Sequence, residues 1–198
     1  MLQDIPTTPL HEHSPVVLET TRLMLRRPTL ADVKAIAVLA NDIRIAENTR
    51  RLPHPYAYAD AEDFVTGLAQ ESHETVFLIT LHDGTPIGMV GLDAGSGDAP
   101  ELGYWLGFKF WKQGYGTEAA RAVIDYTFET LEIERVVSAA RVTNPASRRI
   151  LEKCGFQWTG VALYRMRALG SSTPVDRFRL DRHVWSSLKN WGPTRRVA

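Results

Sequence analysis

Two short stretches hold residues whose types and spacing suit chemistry. The first, Lys112-Gln113-Gly114-Tyr115-Gly116-Thr117-Glu118-Ala119, sets two glycines directly ahead of an apolar helical pattern. Glycine lets the backbone approach a ligand and turn its N–H groups inward, and a helix that follows adds unsatisfied amides and its positive end. That combination can cradle a phosphate. The second runs from Asn144-Pro145-Ala146-Ser147 to Cys154-Gly155-Phe156. It reads as a helix with an asparagine N-cap, proline at its first position, Lys153 in its last turn and Gly155 where a left-handed residue belongs. Asn144, Ser147, Leu151 and Cys154 recur at three- and four-residue spacing and so share a face. Each also has a plain structural role: Asn144 as cap, Ser147 as first-turn partner, Leu151 and Cys154 as core, and Glu118 as a charge on its helix dipole.

The elements that must position these stretches follow from periodicity. Arg22-Leu23-Met24-Leu25-Arg26 alternates as a first strand, and residues 30–41 carry Leu30, Val33, Ala37 and Ala40 at helical spacing. Pro53 and Pro55 interrupt a loop over 46–58, after which Asp60 is the expected N-cap of a second helix reaching 71. Strands at 75–81 and 87–92 form a hairpin across Asp83-Gly84, and another strand spans 101–107. A helix over 116–131 leads to a strand at 135–140, then to the Asn144 helix. Strands at 157–163 and 176–182 and a short helix at 183–190 close the chain. The order is one mixed α/β layer with a single β-α-β crossover near its middle.

The 198 residues are expected to form one domain over 18–190, with tails at 1–17 and 191–198. Basic and acidic residues balance at 23 each, so no bulk field draws the chain to nucleic acid or an anionic membrane. The single cysteine, Cys154, excludes an intrachain disulfide and fits a reducing compartment. With no cationic-apolar leader and no stretch of membrane-spanning length, the expected location is cytoplasmic. The His11-Glu12-His13 triplet lies in the tail, and His54, His73, His82 and His183 lack ligand spacing, so no metal is expected.

The glycine loop has a second reading. Gly114-x-Gly116-x-x-Ala119 fits the fingerprint of a dinucleotide-binding unit. Against it, residues 108–113 intervene after the strand, and the next strand ends in Arg141 instead of a ribose-binding acid. An arginine there would suit a 2′-phosphate, which keeps an NADP-binding reductase as an alternative.

Taken in order, Glu101-Leu102-Gly103-Tyr104-Trp105-Leu106, Trp111-x-x-Gly114-Tyr115-x-Thr117-Glu118-Ala119 and Asn144-x-x-Ser147-x-x-x-Leu151-x-x-x-Gly155-Phe156 resemble the signature of the GNAT N-acetyltransferase superfamily. The nearest likeness is to the branch containing the ribosomal-protein N-terminal acetyltransferases. It runs over 18–185, and the segments 18–26 and 176–180 share it. The resemblance implies an α/β fold in which a central, mostly antiparallel sheet has a splayed acetyl-CoA-binding strand and flanking helices. It implies acetyl-CoA as co-substrate, with backbone amides of Gln113, Gly114, Tyr115, Gly116 and Thr117 on the pyrophosphate. The exposed backbone of Trp105 and Leu106 would meet the pantetheine arm, together with Asn144 and Ser147.

In the same superfamily the acid leading this strand is sometimes the general base, which implies that role for Glu101; a solvated strand-end charge is the equal alternative. Many members carry a tyrosine at the position of Leu151 to protonate the leaving thiolate; here Ser147 takes the general-acid role, ahead of Cys154, a nearby tyrosine or water. Trp111 stands where the pattern commonly has Gln or Arg. Transfer is expected to be direct, with Cys154 structural. The acceptor is an amine, of a protein N-terminus or a small molecule, met by the loops 46–58, with Arg50, Arg51 and His54, and 164–173, with Arg165 and Arg167. A homodimer is compatible with the superfamily. The missing tyrosine also leaves open a non-catalytic CoA-binding or interaction module on the same fold.

Overall fold

In a computed structural model, which describes residues 16–70, 74–94, 99–131, 133–189 and 195–197, the alternating apolar segments lie side by side in one nine-stranded sheet. The strands are β1 (Val17–Glu19), β2 (Leu23–Arg26), β3 (Glu74–Leu81), β4 (Pro86–Asp93), β5 (Glu101–Leu106), β6 (Arg135–Arg141), β7 (Gln157–Met166), β8 (Ser171–Asp181) and β9 (Arg195–Val197). Their spatial order is β7-β8-β6-β5-β4-β3-β2-β1-β9. Every neighbouring pair is antiparallel except β5 and β6.

Six α-helices cover the two faces: α1 (Val33–Ala40), α2 (Ile43–Ala46), α3 (Tyr58–Gln70), α4 (Tyr115–Thr130), α5 (Pro145–Lys153) and α6 (Arg182–Leu188). The stripe Ala119, Ala120, Val123, Ile124 and Phe128 of α4 is fully buried against Leu23, Phe77, Ile79, Val90, Leu102 and Phe178 of the sheet. Leu151 of α5 and Trp185 of α6 join the same core, where Trp185 stacks on Phe128 at 5.1 Å. A smaller core on the opposite face joins Val33, Ile36 and Ala40 of α1 to Ala61 and Val65 of α3 over Leu78 and Met89. Each large aliphatic or aromatic side chain so buried stabilises the fold by about 1.5–3 kcal/mol.

The feature that matters for function is the pairing of β5. Along β4 it is paired from Glu101 opposite Asp93 to Leu106 opposite Gly88. Along β6 only Glu101 and Val137 are in register, with Val137 N donating to Pro100 O at 2.9 Å and Ser138 Oγ to Leu102 O at 2.8 Å. Past Leu102 the two parallel strands diverge, and the sheet opens into a wedge.

Several boundaries differ from the sequence reading. The second helix begins at Tyr58, so Asp60 is not its N-cap. Asp60 sits in the first turn and its carboxylate accepts the Ala57 N–H at 2.9 Å, closing the turn from inside. The loop expected over 46–58 is preceded by α2, which Asp42 caps by accepting the Arg44 N–H. The last two long strands extend to Met166 and back from Ser171, meeting at a turn in which Gly170 has φ 63°. Arg195–Val197, expected in a tail, pairs with β1, whose first residue, Val17, lies on the N-terminal side of the expected boundary and faces Val197. Three residues are too few to display alternation in a sequence. The His11-Glu12-His13 triplet and His73 lie outside the described residues.

Candidate active site

Gly114 caps α4 with φ 85°, a left-handed conformation that a side chain would strain. The chain turns so sharply there that Lys112 is left-handed as well, at φ 60°. Tyr115, Gly116 and Thr117 open the helix, and their amides have no acceptor within it. Gln113 Nε2 donates to Lys109 O at 2.9 Å, and Trp111 Nε1 donates to Leu106 O at 2.7 Å, tying the loop to the end of β5. That bond gives Trp111 a structural reason for standing where Gln or Arg is common.

Glu118 does more than complement a helix dipole. Its carboxylate accepts from Thr20 Oγ1 at 2.7 Å, Arg22 N at 2.9 Å and Arg22 Nε at 2.7 Å. Arg22 also donates to Gln113 O at 2.9 Å and lies 4.5 Å from the Tyr115 ring centroid. One arginine from β1–β2 therefore braces the glycine loop from outside. Sequence reading did not single it out, because its partners are more than ninety residues away.

The wedge between β5 and β6 opens toward α4 and α5. Gly107 N donates to Ile87 O at 2.9 Å, which fixes the alternation of the β5 backbone. Trp105 therefore turns its backbone toward β4, whereas the N–H groups of Tyr104 and Leu106 face the wedge. The Trp105 side chain packs with the α1–α3 core. Of the two residues expected along the pantetheine arm, Leu106 thus faces the opening and Trp105 faces away, while the Tyr104 backbone faces the opening beside Leu106.

Across the wedge, the Asn144 side chain accepts the Ser147 N–H at 3.1 Å and caps α5. The Tyr104 hydroxyl lies 2.9 Å from Ser147 Oγ and 3.2 Å from Ser147 O. Burial pushes the Tyr104 pKa above the ordinary phenol value, opposed by its hydrogen bond with Ser147. Alternation of Leu102, Tyr104 and Leu106 could have placed this tyrosine on the helix side. Leu151 and Cys154 are both fully buried. Burial pushes the Cys154 thiol up to about 12, with Arg121 opposing.

Glu101 belongs to the other face of the sheet. Its carboxylate lies 3.3 Å from Arg50 Nη1, and Asp93 lies 3.4 Å from both Arg50 and Arg51. Burial raises the Glu101 carboxyl above its ordinary range; Arg50 opposes this and Asp93 adds to it. Gly103 follows on the same face by alternation, and a Cβ built on it would meet nothing within 4 Å. The space beside Gly103, between Glu101 and Trp105, is therefore open. Arg167 N donates to Arg50 O at 3.1 Å, and Arg50 lies 5.5 Å from the Tyr164 ring, so the two loops expected to meet the acceptor come together beside Glu101.

Arg141 donates to Glu47 O at 2.9 Å. Among the described residues the sheet has one parallel pair, β5–β6, and lacks the repeated parallel units of a dinucleotide-binding fold. The reductase alternative loses its fold. Among the described residues no His, Cys, Asp and Glu group could hold a metal ion, and no helix is long and apolar enough to cross a membrane.

Comparison with known proteins agrees with this geometry. Residues 22–157 match the acetyltransferase (GNAT) domain family. The uncharacterized N-acetyltransferase YoaA of Bacillus subtilis is 32% identical over 169 residues, covering 81% of this chain and 92% of that protein. YdaF of the same organism, provisionally named a ribosomal N-acetyltransferase, is 35% identical over 112 residues, 55% of this chain and 61% of YdaF. That match therefore spans less than two thirds of the relative's length. The structure of Mycobacterium smegmatis RimJ in complex with CoA-disulfide superposes with a TM-score of 0.72 at 18% identity, covering 89% of this chain and 93% of the other. The glycine loop, the opened β5–β6 pair, the family match over 22–157 and the similarity to YoaA over 92% of that protein converge: the chain belongs to the GNAT acetyltransferase family and is an N-acetyltransferase.

Proposed function

We propose that the protein binds acetyl-CoA in the wedge between β5 and β6 and passes its acetyl group directly to an amine arriving from the opposite face. The observation that carries this reading is the single β5–β6 register pair, which leaves strand-edge amides open beside two helix N-termini. Amides from Gln113 to Thr117 would hold the pyrophosphate, by the attraction of helix N-termini for anions. The Tyr104 and Leu106 amides would pair with the pantetheine arm as an added strand does, while Asn144 and Ser147 flank it. RimJ, solved with CoA-disulfide, shares the fold, which supports the same donor here. The enzyme would then work where acetyl-CoA is supplied, in the cytoplasm.

Glu101, at the vertex of the wedge, is the proposed base. At pH 7, freeing a lysine amine of its proton costs roughly 4–5 kcal/mol, against about 1 kcal/mol for an α-amine, from their ordinary pKa values. A lone carboxylate suits the lesser task, and the ribosomal name given to YdaF supports a protein α-amine. The open space beside Gly103 is the proposed seat for that amine. An acetyl-CoA-dependent thiol-release assay would compare a short peptide α-amine, an N-blocked lysine and spermidine. The peptide should turn over fastest. A Gly103→Leu variant, filling that space, should raise KM for the peptide and leave acetyl-CoA affinity unchanged. Faster turnover of spermidine, or an unchanged KM in Gly103→Leu, would contradict the proposed acceptor and its seat.

A further inference from the structure

The leaving thiolate needs a hydrogen-bonding partner, and position 151 offers none: Leu151 is fully buried and apolar. Resting on the acetyl-CoA reading above, we infer that Tyr104 is a positioning residue that aims the Ser147 proton at the departing sulfur. Each hydroxyl has one proton. Tyr104 reaches both Ser147 O, at 3.2 Å, and Ser147 Oγ, at 2.9 Å. If Tyr104 donates to the carbonyl, the short contact leaves Ser147 Oγ to donate back to Tyr104, and its proton is spent within the pair. When Tyr104 donates to Oγ, the Ser147 proton is free to point elsewhere.

Elsewhere is the wedge. Asn144 holds the Ser147 N–H, so the first turn of α5 is fixed, and Tyr104 comes from the strand whose edge lines the opening. The pair is therefore a two-hydroxyl chain running from β5 through Ser147 toward the site of the thioester. Such chains polarise one another, so the terminal O–H donates more strongly.

Relative acidities decide what the chain does. A thiol has an ordinary pKa of about 8.5 and a phenol about 10, while an aliphatic hydroxyl is weaker still. Burial raises Tyr104 further. Full proton transfer from either hydroxyl to the thiolate is thus uphill. The chain acts as a hydrogen-bond donor to the sulfur as negative charge develops on it. As the C–N bond forms and the C–S bond breaks, the electron pair leaves on sulfur, and the amine's surplus proton passes to Glu101 or water. The thiolate is protonated from solvent after release. Neither Ser147 nor Tyr104 ends as an anion.

The test is a double-mutant cycle of Tyr104→Phe and Ser147→Ala, read by steady-state kinetics with a reactive peptide amine, acetyl-CoA calorimetry and thermal melts. Tyr104→Phe should lower kcat by roughly 10- to 100-fold, the range for one hydrogen bond to a charged group. KM for acetyl-CoA and its binding should stay unchanged. In the Ser147→Ala background Tyr104→Phe should cost little more, because its effect acts through that hydroxyl. Equal losses of kcat in both backgrounds would overturn the inference, as would weakened acetyl-CoA binding with kcat preserved; either result makes Tyr104 a packing partner of α5. A parent enzyme that binds acetyl-CoA and releases no thiol with any amine would instead overturn the transferase reading beneath it.

Discussion

Gly116 and Ile150 meet so closely that a Cβ on the glycine would lie 2.9 Å from Ile150 Cδ1. The contact joins the first turn of α4 to α5, the two helices whose N-termini flank the wedge. A side chain at Gly116 would press on the flexible end of Ile150, which has to shift to make room. Gly116→Ala should cost the fold no more than about 1 kcal/mol, since helix propensity offsets part of the contact, and should weaken acetyl-CoA binding by displacing Ile150. Ile150→Val removes the crowded methyl and should recover part of both losses, measured by denaturant melts and calorimetry. Additive effects of the two changes would show that the helices are not coupled through this contact.

Glu101 yields a pH prediction with a definite sign. Burial raises its folded-state pKa, so folding favours the protonated form. The folded state carries a penalty above that pKa, and the penalty is relieved as pH falls through it. Glu101→Gln should therefore melt no lower than the parent at neutral and alkaline pH, with the difference vanishing in acid. Turnover should fall on the order of 100-fold, the lower range for loss of a general base. In the parent, the acid limb of kcat/KM should lie above the ordinary glutamate range. A variant less stable at every pH would show that the Arg50 ion pair, at 3.3 Å, outweighs desolvation.

Cys154 should be inert. Its thiol is fully buried and pushed up to about 12, so thiolate is scarce at neutral pH. A disulfide reagent such as DTNB should label it only as fast as the protein unfolds. Cys154→Ala should keep kcat and KM and lose on the order of 1 kcal/mol of stability, as small core truncations do. Loss of turnover in a folded variant that still binds acetyl-CoA would point to an acetyl-enzyme.

How far the sequence foretold this site depended on how local each signal was. The α5 cap is written in adjacent residues, and Asn144, Pro145, Ser147 and Gly155 take the conformations their types favour. The same holds for Gly114 ahead of α4. Tyr104 is visible in its strand, but its partner is 43 residues away on another element, so no local signal pairs it with Ser147, although strand alternation places it on the right face. Arg22 lacks a local signal for the same reason. The family resemblance puts Trp105 along the pantetheine arm, whereas backbone direction along β5 turns it toward β4. Asp60 has the residue type of an N-cap and performs the related task from within the first turn. Local chemistry was readable; contacts across the sheet required the fold.

The most direct test of the central claim is isothermal titration of acetyl-CoA into the parent and into a Gly114→Glu, Gly116→Glu variant. A glutamate at either position would bring bulk and negative charge to the amides assigned to the pyrophosphate. The parent should bind with micromolar affinity and the variant should not, with circular dichroism confirming that the variant stays folded. No heat at near-millimolar acetyl-CoA, or equal binding by the folded variant, would contradict it.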